Sequence, residues 1–429
     1  VEQKDYFTKL VTATVDYPED SGRRGKTTLT TLVTNFNNAV GGDTCSSILT
    51  DAAGNPDAGA WKIPRIIKSV SNADIANQAG FPTDDFPITD IDAYKNRLYI
   101  TVDNSSSSTL TVPTFFVFDI TDPSNIMPIS SVDNDLGVHS GLKAVVVAED
   151  PAWPTNPKPV YAFVASTVGK HFQVIKVAES GSDLVPPVMM TNTLLPIGTS
   201  IQHGNSIAYK NGYIYLGLTN DGLAPEFYII DVHNPQNPAL VSGGTYAVGN
   251  DINAIYIRNQ YAYLATPNSN NLIVLDVSNP SSPKPVGNFA PTGGGNGKSL
   301  YLRGDNLYLG RTIPSSGPEL YILNNSDPLN ISEISNKEIG ESVDGVIVRT
   351  GLDLSASVSR DLAFLLTKTQ FQVWDTGGLS PWTPGGSASE FLSLPGSGSG
   401  IEPVFDCEKN TFFVGSSDGS QGRIFVIAP

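Results

Sequence analysis

Residues 250–293 read NDINAIYIRNQYAYLATPNSNNLIVLDVSNPSSPKPVGNFAPTG, and the order of runs in this stretch decides the fold. Three apolar runs, INAIYI, YAYLA and NLIVLDV, are separated by the polar turn clusters RNQ and TPNSN. A fourth run, PVGNF, follows the proline-bracketed SNPSSP. Four short strands in about 45 residues make one antiparallel meander. Leu272 to Leu275 are apolar at every position rather than alternating, so this strand is expected to be covered on both faces. A single four-stranded sheet cannot cover itself on both sides. Copies packed face to face around an axis can.

The chain supplies the copies. One runs through ITDIDAYKNRLYI (88–100) and FFVFDITDPSNIMPISSV (115–132). The next has GLKAVVVAED (141–150), PVYAFVAS (159–166) and HFQVIKVAESGSDLVPPVMM (171–190). Then come GNSIAYKNGYIYLGL (204–218) with 227–247, the quoted stretch, and GKSLYLRGDNLYLGR (297–311) with 319–335. A degenerate unit has DGVIVRT (344–350), DLAFLLT (361–367) and FQVWDTG (371–377). The last, EPVFD (402–406), TFFVGSS (411–417) and GRIFVIAP (422–429), stops after three strands. KIPRIIKSV (62–70) resembles the fourth strands yet precedes the first unit, so it is expected to complete the last sheet and hide its edge. The predicted fold is all-β: a seven-bladed β-propeller of four-stranded antiparallel blades over residues 61–429, closed by an N-terminal outer strand.

Residues 1–40 stand apart as an N-terminal β-hairpin, DYFTKLVTATVDY and KTTLTTLVTNF joined by PEDSGRRG. Residues 41–60, rich in small and turn-forming types, read as a linker.

Composition agrees with an all-β chain: Gly 40 and Pro 31, but charged residues only 16%. A net charge of −16 argues against nucleic acid as a partner, because phosphate binding needs clustered Lys and Arg. No apolar run approaches the length of a membrane span. The opening VEQKDYFTKLV reads as a mature or trimmed start.

LIVLDVSNPSSPKPVG (272–287), YIIDVHNPQNPALVSG (228–243) and FVFDITDPSNIMPIS (116–130) resemble the LVIVD-repeat β-propellers. The resemblance covers residues 61–429, with departures at Lys176, where Asp is expected, and at Asp375, which lacks the following Pro. It implies an exported or cell-surface protein and no single activity. Physically, Asp119, Asp231 and Asp276 end a strand and can accept turn amides, and Pro123, Pro235 and Pro280 then forbid strand continuation. These are turn-building residues. The hairpin at 5–35 resembles the closing strand pair of type IV pilin-like proteins, which implies display on a pilus-like structure. An ordinary hairpin packed on the propeller is the alternative.

No catalytic motif stands out: no G-x-S-x-G, H-E-x-x-H, P-loop or C-x-x-C. The four histidines, His139, His171, His203 and His233, lack metal-ligand spacing. The acidic loops 103–108, 132–137, 219–222 and 416–420 lack the D-x-D-x-D-G pattern of a tight calcium loop. No cofactor is expected, with a bound Ca²⁺ or other cation left open. Two features are expected of the closed ring. Cys45 precedes the closing strand and Cys407 sits in the final blade, so a disulfide between them would lock the ring, with two free thiols as the alternative. Aligned starts of the innermost strands predict a polar ring around the channel from Asp90, Lys143, Asn205, Asn253, Lys298, Asp344 and Glu402. The leading functional reading is a non-enzymatic binding or adhesion module, extracellular or on the cell surface, whose partner is a protein or surface glycan, with pilus subunits as further partners. A propeller enzyme (hydrolase, lyase or oxidoreductase) with its site over the channel, and a structural filament subunit, are the alternatives.

Overall fold

Each apolar run ends at a residue that bends the chain back on itself. In Asn211–Gly212 both residues have positive φ, 49° and 81°, the geometry of a two-residue hairpin loop matched to strand twist. Lys95, Asn259 and Gly304 serve the same role between the first two strands of other units. The computed structural model describes residues 8–18, 24–34, 49–54, 57–71, 74–75, 87–103, 113–132, 141–167, 171–190, 195–395, 399–401, 403–417 and 422–429.

Seven antiparallel sheets follow one another in chain order, each running from an innermost to an outermost strand. Blade 1 is Ile88–Tyr94, Arg97–Val102, Phe115–Asp119 and Met127–Val132. Blade 2 is Leu142–Glu149, Val160–Ser166, Phe172–Glu179 and Ser182–Met189. Blade 3 is Gly204–Lys210, Tyr213–Leu218, Phe227–Asp231 and Ala239–Tyr246. Blade 4 is Ala254–Arg258, Tyr261–Ala265, Leu272–Asp276 and Lys284–Phe289. Blade 5 is Gly297–Arg303, Asn306–Arg311, Leu320–Asn324 and Ser332–Lys337. Blade 6 has a long inner hairpin, Val343–Asp353 with Val358–Thr367, then Gln370–Asp375. Its outer strand is split into Ser380–Pro381 and Leu392–Ser393. Blade 7 begins with the short pieces Ser399–Gly400 and Val404–Asp406 on Thr411–Ser417, followed by Gly422–Ala428. Its outermost strand is Arg65–Ser71, with Ile66 opposite Ile427 and Val70 opposite Ile424. The molecule is a seven-bladed propeller closed by its N-terminal side.

The hydrophobic core lies in the seams between blades rather than inside any one sheet, which explains the strands that are apolar on both faces. Leu272 and Val274 pack with Leu300, Leu307 and Leu309 of blade 5. Leu275, one residue on, packs with Tyr215, Phe227 and Ile229 of blade 3. Successive side chains of one strand therefore serve two seams.

The linker reading of residues 41–60 is corrected from Leu49 onward. Leu49 forms a parallel bridge to Gly351, its amide donating to Thr350 O at 3.0 Å. Ala58–Lys62 forms a 3₁₀ turn whose Asp57 cap accepts from Gly59 N. Trp61 is fully buried, edge-on to Phe364 at 5.2 Å and to Phe412 at 5.3 Å. Trp382 Nε1 donates to Ala58 O at 3.1 Å, and Asn410 Nδ2 to Thr50 O at 2.6 Å. Small residues put Ala58 directly against Gly351, a fit that a linker composition conceals. This segment is a clasp across blades 6 and 7. The strand after it begins at Arg65, because Lys62 belongs to the 3₁₀ turn.

At the N-terminus, Thr8–Pro18 and Arg24–Thr34 pair antiparallel, with Val11 opposite Thr31 and Val15 opposite Thr27. They form a two-stranded sheet of their own among the described residues.

Candidate functional site

The inner strands begin at one mouth of the channel, and most begin with a bulge. Pairing to the second strand slips by one residue between Ile88 and Asp90, Leu142 and Ala144, Gly204 and Ser206, Gly297 and Ser299, and Val343 and Gly345. The skipped residues are Thr89, Lys143, Asn205, Lys298 and Asp344. Asn253, just before Ala254, takes the place in blade 4. Five of the sequence-predicted ring residues thus hold equivalent positions. In blade 1 the bulge puts Thr89 there, so Asp90 lies one residue deeper than the sequence alignment placed it. Glu402 lies outside the described residues.

These side chains reach onto neighbouring blades, and the bulge re-aims those that carry one. Thr89 Oγ1 donates to Leu142 O at 2.6 Å, Asn205 Nδ2 to Ile252 O at 3.0 Å, and Asn253 Nδ2 to Gly297 O at 2.7 Å. Each acceptor is the carbonyl just before the next blade's own ring residue. The Lys298 ammonium pairs with the buried Asp344 carboxylate, and Lys143 Nζ reaches Asp103 Oδ2 at 2.6 Å. The result is a girdle whose hydrogen bonds tie blade to blade.

Beneath it, Ser206 Oγ donates to Ile252 O at 2.8 Å and Ser299 Oγ to Val343 O at 3.0 Å. Gly217 and Gly310 leave the room: a Cβ on either would run into the serine hydroxyl. In blade 1, Asp90 and Asp92 cap the inner edge of blade 2, an edge with no strand to pair with. Val145 N donates to Asp90 Oδ2 at 2.8 Å and Val147 N to Asp92 Oδ2 at 2.7 Å. Burial pushes the Asp92 carboxyl up to about 7, against the pull of the Val147 and Ala93 amides. Sequence reasoning missed Asp92, although two acids separated by a single residue in ITDIDAY were the available signal. It likewise missed Glu226 and Glu319, buried acids fused to the apolar runs FYIID and LYILN. Glu226 Oε2 accepts from Val248 N and Gly249 N, and Glu319 Oε2 from Ile339 N and Gly340 N.

All seven inner strands line an axial cavity of about 120 Å³. Its wall is mainly aliphatic, with Tyr256, Tyr301, Asp90, Asp92 and Arg349 among its polar groups. The Arg349 guanidinium lies 5.0 Å from the Phe405 ring centroid.

The histidines do not converge. His171 is buried at the start of a blade 2 strand, and the His203 amide donates to Thr219 Oγ1 at 2.9 Å. His233 is in an outer turn, its Nδ1 2.8 Å from Asp231 Oδ1, and His139 lies outside the described residues. Among the described residues no group of three or more His, Cys, Asp or Glu is placed to hold a metal. In loop 219–222, Asp221 Oδ1 accepts from Leu223 N and Ala224 N. Much of the other three acidic loops lies outside the described residues. Cys407 is half-buried against the core of blades 6 and 7, and Cys45 lies outside the described residues. Asp119, Asp231 and Asp276 accept the amides of Thr121, His233 and Ser278, at 2.8–2.9 Å, in the turns that follow their strands.

The LVIVD repeat matches residues 203–245 and 251–290, which correspond to blades 3 and 4. The chain carries LVIVD repeats. In blade 4 the Asn279-Pro280 turn that follows the strand-end Asp276 fits the outer strand of blade 3. A Cβ on Gly243 would meet Ser281 O, and one on Gly287 would meet Pro328 O in the corresponding turn of blade 5. No curated protein matches the chain. Among solved structures, the WD40 β-propeller domain of Doa1 is 12% identical with a TM-score of 0.53, over 84% of this chain and 96% of that one. The computationally designed Ika8 protein is 12% identical with a TM-score of 0.45, over 80% and 96% of the two chains. Saccharomyces cerevisiae Sqt1 is 9% identical with a TM-score of 0.48, over 78% and 82%. The first likeness shows the propeller fold alone, and the other two add nothing to it.

Proposed function

We propose that this chain is a non-enzymatic binding module, exported and held outside the cell or on its surface. Its partner, a protein or surface glycan, docks on the loop face around the girdle. The observation that carries the reading is the exposed aliphatic pair Leu223 and Ile201, 78% and 63% exposed. They sit on two loops of that face, joined by the Thr199 hydroxyl and the Asp221 carboxylate. Ile313, 57% exposed, stands on the corresponding loop of blade 5. The girdle side chains beside them are engaged with neighbouring blades, which favours the loop tips over the channel as the contact surface. Isolated exposed aliphatics are ordinary, but Ile201 and Leu223 stand on two loops tied to each other, which supports a local docking surface there.

Attachment to a pilus-like structure through residues 1–40 belongs to the same proposal, supported by the register of their two strands. So does a disulfide between Cys45 and Cys407, supported by the lack of a free cysteine among the described residues. The test is binding of the full chain to arrayed surface proteins and glycans, with wild type beside an Ile201→Asp/Leu223→Asp variant. Saturable binding that the variant loses, with its circular dichroism unchanged, supports the reading. Binding that survives both substitutions overturns it.

A further inference from the structure

The mouth opposite the girdle differs from it in charge. Five residues beyond the ring position, four successive blades carry a cation: Lys210, Arg258, Arg303 and Arg349. The first three end their strands and lean over the next blade. Lys210 Nζ donates to Asn259 O at 2.7 Å, the Arg258 guanidinium to Gly304 O, and Arg303 Nη2 to Thr350 Oγ1 at 2.6 Å. All their acceptors are neutral. Among the described residues, no carboxylate lies within 4.0 Å of the charged groups of these three. Other cations at this end are matched: Lys95 pairs with Glu149 at 3.5 Å and Lys409 with Asp406 at 2.8 Å.

Three such cations on successive blades are unexpected on a chain of net charge −16, because carboxylates are the commoner charged group. The cost is visible at Lys210, whose ammonium is pushed down to about 8, first by burial and then by Arg258. A bound anion would remove that repulsion, and the guanidinium groups retain donors suited to planar oxyanions. The neighbouring cavity wall presents Tyr256 and Tyr301, edge to face at 5.8 Å, beside which a small ligand body can rest.

We propose that this mouth is a binding site for a small multivalent oxyanion, held by Lys210, Arg258 and Arg303. The site is independent of whatever docks on the loop face. Calorimetric titration of the full chain with pyrophosphate, and separately with tricarballylate, tests it at constant ionic strength. One saturable site is expected, weakened about tenfold by Lys210→Gln and by Arg258→Gln, since each removes one charge-assisted contact. Lys210→Arg should retain binding, and Lys143→Gln, at the other mouth, should not change it. Preference for pyrophosphate assigns phosphates, preference for tricarballylate assigns carboxylates, and equal binding assigns charge recognition alone. No saturable binding of either probe by wild type overturns the proposal, whatever the variants do. So does binding that Lys210→Gln and Arg258→Gln leave unchanged, or that Lys143→Gln weakens equally.

Discussion

Replacing Trp61 by alanine tests whether residues 49–62 clasp the ring or only pass beside it. The side chain is fully buried among Phe364, Phe405 and Phe412. A buried indole removes roughly 200 Å² from water, worth about 5 kcal/mol at the usual area coefficient. A realistic unfolded chain already hides part of that surface, which lowers the gain to about 3–4 kcal/mol. One term opposes it: Trp61 Nε1 is buried without a hydrogen-bond partner, a defect that costs about 1–3 kcal/mol. Trp61→Ala removes the packing and the defect together but leaves a cavity among the three phenylalanines, whose cost adds to the packing loss, so the expected net loss is about 2–3 kcal/mol. Trp61→Phe keeps one aromatic ring, so a smaller loss of packing is set against removal of the orphaned N–H, and it should cost under about 1 kcal/mol. Urea unfolding followed by far-ultraviolet circular dichroism gives both numbers. Limited proteolysis should then cut Trp61→Ala between residues 49 and 64 before any site in the blades. A loss under about 1 kcal/mol in Trp61→Ala, or equal losses in the two variants, would refute this accounting.

Gly287→Ala should destabilise by about 1–3 kcal/mol, because its Cβ meets the rigid Pro328 carbonyl. Gly249→Ala, with open space around it but a φ of 75°, gives the strain-only comparison in the same urea series. Asp92 titrates near 7 in the folded protein, above its ordinary carboxylate value, so its protonation favours folding. That contribution is complete below about pH 4 and is lost as pH rises through about 7. The stability of wild type relative to Asp92→Asn should therefore fall between about pH 4 and pH 7 in urea titrations; a constant difference would count against the buried carboxylate. Deleting residues 1–71 should leave the edge of Gly422–Ala428 unpaired and drive self-association, visible as a concentration-dependent shift in size-exclusion chromatography. A monodisperse, stable monomer would contradict the role of the closing strand.

The seven repeats were legible because each seam imposes the same demand, apolar residues on both faces of the middle strands, and turn residues punctuate every return. The closing strand was legible for a related reason: KIPRIIKSV has the pattern of an outer strand with no sheet of its own near it in sequence. The ring position was not fully legible, since a bulge adds a residue to one strand and leaves no compositional mark. The alignment therefore chose Asp90 where the register chose Thr89. The clasp was concealed by its small residues, which act through shape: Ala58 fits because position 351 is glycine. The cation row was in plain view as YKNG, IRNQ, LRGD and VRTG. Its meaning required the topology that stacks these four residues on neighbouring strands.

The closing strand also sets an order of events for a chain made from its N-terminus. Arg65–Ser71 is made before all seven inner hairpins, yet its partner, Gly422–Ala428, follows some 350 residues later. Blades 1 to 5 use only local pairings and can form as they emerge. The closing strand must meanwhile stay unpaired and soluble, and its polar residues Arg65, Lys68, Ser69 and Ser71 suit it to that wait. Completion then requires closing a loop of some 350 residues, whose entropic cost rises only logarithmically with length and is met once, at the end. A circular permutant that carries residues 49–71 behind Pro429 would turn this final long-range step into a local hairpin. It should reach the native state faster from denaturant while unfolding at a similar rate.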